Sequence, residues 1–177
     1  MIDNSLSKPW PVSPMMGDAC WWVLRTKTRQ EKVVASNLSS MKILFFFPTI
    51  RAERYIGNRK HKIEVPLFPS YLFLHGDRDA TFRIDRTKRV AGILSVDDQE
   101  QLHRQLGGLH KALQVDARFD PYPYLVHGTW AEVKSGPYKG VQGKVDRESH
   151  PTKLILQVDL LRSGLSLELN GAILEVL

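Results

Sequence analysis

Ten lysines and arginines fall between Arg25 and Lys62: Arg25, Lys27, Arg29, Lys32, Lys42, Arg51, Arg54, Arg59, Lys60 and Lys62. Only Glu31 and Glu53 oppose them there, and a second basic group, Arg83, Arg86, Lys88 and Arg89, follows. The 177 residues carry a formal charge of +6, and this concentration of it points to a polyanion such as nucleic acid or the ribosome. The positive field belongs to the first half, since the C-terminal part mixes both signs. The other stretch able to do chemistry is Val65 to His75. Pro66 and Pro69 fix the backbone before an aromatic run and are expected to hold Phe68 in an extended, non-helical segment. From Ser70 onward a pleat puts Tyr71 and Phe73 on one face and Leu72 and Leu74 on the other. A strand apolar on both faces suits the covered centre of a sheet. The Phe68, Tyr71 and Phe73 face suits a binding hot spot equally well.

Catalytic constellations are weak by comparison. Of six histidines (His61, His75, His103, His110, His127 and His150), His103 and His110 could share a helix face, but no acid or cysteine completes a ligand set with them. No metal and no cofactor is expected. Cys20 is the lone cysteine, which excludes an intrachain disulfide and a thiolate-rich zinc site and suits a reducing, cytoplasmic setting. Gly-x-Ser-x-Gly and glycine-rich phosphate loops are absent. Nothing in the sequence calls for an enzyme.

The elements that must position these residues follow from periodicity. Met1–Asp18, with Pro9, Pro11 and Pro14, reads as a disordered tail without the n- and h-regions of a secretory signal. No run approaches the roughly 20 apolar residues of a membrane span. Trp21 to Leu24 suits a buried first strand. Arg29–Met41 carries Val33, Val34, Leu38 and Met41 near helical spacing. Leu44–Ile50 returns to strand chemistry, and Arg51–Ile63 reads as a basic hairpin turning at Gly57-Asn58. A short helix over Arg78–Arg86 and a strand over Val90–Val96 come next. Asp97-Asp98 is suited to cap a helix with Leu102, Leu106, Leu109 and Leu113 on one side, which Gly107-Gly108 is expected to kink or end. The first domain, residues 19–115, thus reads as α+β, helices on a mainly antiparallel sheet.

Residues 116–127, with Pro121 and Pro123, read as a semi-extended linker. Residues 128–177 change character. Five short strands are expected at Thr129–Lys134, Val141–Asp146, Lys153–Asp159, Leu165–Leu169 and Ala172–Val176, separated by turn signals. That pattern suggests a small closed β-barrel. Within it, Gly136-Pro137-Tyr138-Lys139-Gly140 places a turn-forming proline and a glycine able to take positive φ.

This last stretch, from Gly128-Thr-Trp-Ala-Glu-Val-Lys to Gly-Val-Gln-Gly-Lys-Val145, resembles the KOW motif in the SH3-like barrel of NusG proteins. Trp21-Trp22-Val23-Leu24 and Pro66-Leu-Phe-Pro-Ser-Tyr-Leu-Phe73 are similar to the first strand and the signature strand of the NusG N-terminal domain. The form Leu-Phe-Pro-x-Tyr-Leu-Phe is more similar to RfaH-like specialised paralogues than to housekeeping NusG, which shows Phe-Phe-Pro-Gly-Tyr-Val.

The resemblance implies a monomeric transcription elongation and antitermination factor. Phe68, Pro69, Tyr71 and Phe73 would grip the clamp helices of the RNA polymerase β′ subunit, with Arg83 reaching toward β. The clamp would stay closed and pausing or termination would be suppressed. Lys27, Thr87 and Lys88 match positions where RfaH-like proteins touch non-template or upstream DNA; Arg29, Arg59, Lys60, Lys62 and Arg89 extend that basic surface. Leu160, Leu161 and Leu165 would offer a patch to a small-subunit ribosomal protein. Leu161-Arg162 stands where housekeeping NusG has an aromatic followed by glycine, which argues against Rho as a partner. The alternative is a ribosome- or RNA-binding KOW protein that uses the basic hairpin.

Overall fold

A computed structural model of the chain describes residues 10–115, 119–122, 128–145, 153–169 and 173–177. It divides into two units, Met1–Gln99 and Glu100–Leu177.

The first unit runs β1 (Cys20–Thr26), α1 (Glu31–Ser40), β2 (Leu44–Phe46), β3 (Thr49–Ile56), β4 (Arg59–Pro66), β5 (Tyr71–Gly76), α2 (Arg78–Asp85) and β6 (Val90–Ser95). Four of these strands form an antiparallel sheet in the order β2-β5-β1-β6. Period-2 alternation assigns its two faces. One carries Leu24, Phe45, Leu72 and Leu74, which pack with Val34 and Leu38 of α1 and Ala80 and Ile84 of α2 into a buried cluster. Asp77 caps α2 by accepting the amide of Ala80 at 2.8 Å. The opposite face carries Trp21, Val23, Phe46, Phe73 and His75, all buried.

Two expectations for this unit change. The apolar run Leu44–Ile50 is not one strand, because Pro48 separates β2 from β3 and its carbonyl instead accepts the amide of Leu67 at 2.9 Å. Residues 10–18 are not a disordered tail: Trp10 and Pro14 contact the sheet, and Pro11 and Pro14 are buried. Residues 1–9 lie outside the described part.

The second unit contains α3 (Gln99–Gln114) from Glu100 onward, then β7 (Phe119–Tyr122), β8 (Thr129–Val133), β9 (Gln142–Val145), β10 (Lys153–Val158), a 3₁₀ turn (Asp159–Leu161), β11 (Ser163–Glu168) and β12 (Leu174–Val176). Its strands form one antiparallel sheet in the order β12-β8-β9-β10-β11-β7. All five strands expected in this half are present, and β11 begins two residues earlier than expected, taking in the Ser163-Gly164 pair read as a turn. A sixth, β7, falls within the stretch read as a linker. Pro121 is tolerated there because β7, among the described residues, lies at the end of the strand order and pairs with β11 alone, the edge position in which a strand can carry proline.

The helix α3 runs straight through Gly107-Gly108 instead of ending there. It packs on the second sheet, and at Gly108 the helix and the sheet lie very close together. A Cβ at that position would lie 2.7 Å from the Gln142 carbonyl oxygen. Around it, Gln105 Nε2 donates to Asp159 Oδ2 at 2.7 Å, Gln101 Nε2 donates to the same oxygen, and the Lys111 ammonium donates to the Gly140 carbonyl at 2.8 Å. The Arg104 guanidinium lies 5.6 Å from the Trp130 ring centre, within cation–π range.

Candidate functional site

Two parts of the first unit could receive a partner: the aromatic face of the four-stranded sheet, and the polar loops at one end of β1.

The register places the aromatic face residue by residue. Trp21 is opposite His75, Val23 opposite Phe73 and Arg25 opposite Tyr71, while Phe46 is opposite Phe73 from the other side. Phe46 and Phe73 are tilted with centroids 6.3 Å apart, and Phe68 meets Phe73 edge-on at 6.0 Å, the offset geometries aromatic rings prefer. The face is graded. Phe73 is fully buried and Phe68 is 5% exposed, whereas Tyr71 is half-buried, Pro69 and Arg25 are exposed and Leu94 is 41% exposed. Arg25 lies along this open end, its guanidine nitrogens 3.9 Å from where a Gly92 side chain would begin.

Phe68 reaches this face through a turn, which corrects the expectation of an extended segment. The amide of Tyr71 donates to the Phe68 carbonyl at 3.1 Å. Pro69 therefore occupies the second turn position, where its ring presets φ. Ser70 takes the third with φ of 66°. The turn is pinned on both sides: Ser70 N–H donates to Glu31 Oε1 at 2.9 Å, and Thr26 N–H donates to the Ser70 carbonyl at 2.8 Å. Glu31 at the start of α1 thereby fixes the turn that carries Phe68 and Tyr71.

The polar loops draw together residues distant in sequence. Lys27 N–H donates to the Arg89 carbonyl at 2.9 Å, and the Arg89 guanidinium bonds the Gln30 side chain. Lys88 follows α2 in a left-handed conformation, φ 59°, and Arg29 precedes α1 in another, φ 60°. Thr87 Oγ1 donates to the Ile84 carbonyl at 2.7 Å. Lys27, Arg29, Lys88 and Arg89 are all exposed, so this cluster presents cations while its backbone is tied down.

The hairpin residues are elsewhere, on the separate two-stranded ribbon β3–β4. Its faces differ. Arg51, Glu53 and Tyr55 share one face with Glu64, Lys62 and Lys60, and Lys60 is ion-paired to Glu53 at 2.6 Å. The other face carries Arg54 opposite His61, with Arg59 beyond them and no acid. Arg59 thus belongs to an acid-free surface, and Lys60 and Lys62 to a mixed one. Cross-strand parity could have shown this from the turn position alone.

Arg83 does not join the aromatic residues. It lies on α2, in the helix layer packed on the opposite face, with its guanidinium donating to the Met41 carbonyl at 3.2 Å. The three leucines of the second unit also separate: Leu160 is 43% exposed, Leu161 is half-buried and Leu165 is buried in the sheet. Among the described residues, no group of histidines, cysteines and carboxylates could hold a metal, and no helix is long and apolar enough to cross a membrane.

Residues 19–105, which include the aromatic face, the turn and the basic loops, match the family model described as "Transcription termination factor nusG". This segment is NusG-like. The match begins one residue before β1 and ends within α3, so the NusG-like segment takes in the whole four-stranded sheet and the ribbon. Comparison with curated proteins gives no match. A solved structure titled "Crystal Structure of MjSpt4:Spt5 complex conformation A" covers 88% of this chain and 98% of its own at 16% identity and a TM-score of 0.28, too low to establish a common fold.

Proposed function

We propose that the protein is a transcription elongation and antitermination factor that binds RNA polymerase through the open end of the aromatic face. One observation carries this reading: the segment with the NusG match is the one that presents Tyr71, Pro69 and Leu94 beside Arg25, an apolar surface with a basic rim. An amphipathic helix is the partner such a surface fits. In this reading the partner is the clamp-helix coiled coil of the polymerase β′ subunit, and the factor holds the clamp closed and suppresses pausing or termination. Phe68 and Phe73 shape the face from beneath, and Tyr71 and Pro69 make the contact. Lys27, Arg29, Thr87, Lys88 and Arg89 lie along non-template or upstream DNA, their attraction to phosphate weakening with salt. Arg59, Lys60 and Lys62 extend that field on the ribbon, while Arg83 touches β from the helix side.

The second unit is, on this reading, a KOW barrel of SH3 type, with Leu160 and Leu161 offered to a small-subunit ribosomal protein and Leu165 serving its core. The specialised, RfaH-like branch fits best, since Pro69-Ser70 stands where housekeeping NusG has Pro-Gly.

Tyr71→Ala tests the groove. Its half-buried ring can be removed without opening the core, and binding to purified core polymerase is expected to weaken about 30-fold, the equivalent of about 2 kcal/mol for a hot-spot aromatic. Circular dichroism should report an intact fold. Unchanged polymerase binding with lost binding to structured RNA would replace this reading by that of an RNA- or ribosome-binding protein.

A further inference from the structure

The aromatic face is already partly occupied by the chain itself. Cys20 begins β1, and just before it Met16 and Ala19 close a tight turn with two backbone hydrogen bonds, 2.9 and 3.1 Å, around Gly17 at φ 62°. The chain preceding this turn, Trp10 to Met15, lies against the sheet. Trp10 stacks on Trp21 at 5.5 Å, tilted by 36°, and meets Phe46 edge-on at 5.6 Å. The Pro14 carbonyl pairs with the His75 ring Nε2 at 3.0 Å. Trp21, Phe46 and His75 belong to the same face as Phe73 and Tyr71, at its closed end.

This strap is held differently from a strand. Its Pro14 carbonyl is bonded to a side chain of the sheet, the His75 ring, and not to a neighbouring strand's backbone. Its outer side is 94% exposed at Val12 and 58% exposed at Met15. A tryptophan anchor, two buried prolines and one side-chain bond resemble the contacts of a docked peptide, in which one aromatic carries most of the attachment.

We propose that Trp10–Met15 is an intramolecular competitor for the aromatic face. A partner helix can engage the open end at Tyr71 and Leu94, but it reaches Trp21 and Phe46 only after the strap has left. Partner binding and strap release are then coupled, and apparent affinity falls by the fraction of molecules whose strap is off. This inference rests on the polymerase reading above.

The test compares full-length protein with its Trp10→Ala variant for binding to a purified clamp-helix fragment of polymerase β′. Trp10→Ala is expected to bind about ten-fold tighter, and a synthetic peptide of residues 8–18 added in excess should bring the affinity back toward that of the parent. Equal affinities, with binding present in both, overturn the strap while leaving the polymerase reading in place. Weaker binding by Trp10→Ala also overturns it, since Trp10 would then belong to the binding surface. Absence of binding by either protein overturns the polymerase reading, and the competitor with it. Should Trp10→Ala lower the folded fraction, Pro14→Gly loosens the strap without touching any side chain of the sheet and carries the same expectations.

Discussion

Ser70 is a residue with a β-carbon in a conformation that favours glycine, and replacing it by glycine should make the protein more stable. Its φ of 66° lies at the third position of the Phe68–Tyr71 turn, where a type II turn calls for glycine or asparagine. Left-handed backbone costs an ordinary residue about 1–2 kcal/mol through crowding of its Cβ. Ser70→Gly removes that cost and adds about 0.5–1 kcal/mol of unfolded-state freedom. Both bonds that pin the turn survive, because the donor to Glu31 and the acceptor from Thr26 are backbone atoms. The net expectation is a gain of about 0.5–1 kcal/mol. With a urea m-value of about 2 kcal/mol/M, the unfolding midpoint should rise by about 0.3–0.5 M at unchanged m. Ser70→Ala is the control: it keeps the β-carbon and should shift the midpoint little. If Ser70→Gly lowers the midpoint, or if glycine and alanine act alike, the strain argument is refuted.

Two further outcomes follow from close contacts. Gly108→Ala should destabilise the protein by about 1–2 kcal/mol, because an added methyl meets a backbone carbonyl that cannot move aside; overpacking outweighs the gain in helix propensity. A thermal melt that shifts upward would show that α3 can lift off the sheet at no cost. The second outcome concerns pH. Burial lowers the His75 pKa from 6.5, against the smaller opposing effect of the Pro14 carbonyl. The folded state therefore resists protonation, so the contribution of this group is complete above about pH 6.5 and is lost as pH falls from there toward the lower folded value. Urea midpoints of the parent should decline between pH 7.5 and 5.5, and His75→Gln should flatten part of that decline. An identical slope in both proteins would exclude His75 as its source. His110, also lowered by burial, keeps its own share in either case.

The alternation through Tyr71–His75 was legible because a period of two marks a pleated strand directly, and the ribbon was legible because Gly57-Asn58 suits a tight turn between two polar arms. Other features depended on what the chain packs against. Nothing in Trp10–Pro14 has a period, so its anchors acquire meaning only when a face exists to receive them. Pro121 argues against a strand unless that strand lies at a sheet's edge, and edge position is a property of topology. Gly108 reads as a helix breaker in isolation. In the structure it is a point of close approach between α3 and β9, which has the opposite consequence for the helix. The basic loops were visible as charge, but the hydrogen bond from Lys27 to Arg89 joins them across the whole of residues 28–88.

The β3–β4 ribbon also bears on solubility. A two-stranded sheet has two free edges, each a row of unpaired amides and carbonyls onto which another chain can add. Arg51, Arg54, Arg59, Lys60 and Lys62 are all exposed on its two strands. Like charges on a second copy repel at the distance where strand addition would begin. These cations therefore act as gatekeepers against self-assembly, and neutralising them removes that protection along with the nucleic-acid contact proposed for the ribbon. Exchanging lysine for arginine would alter recognition while leaving that protection in place.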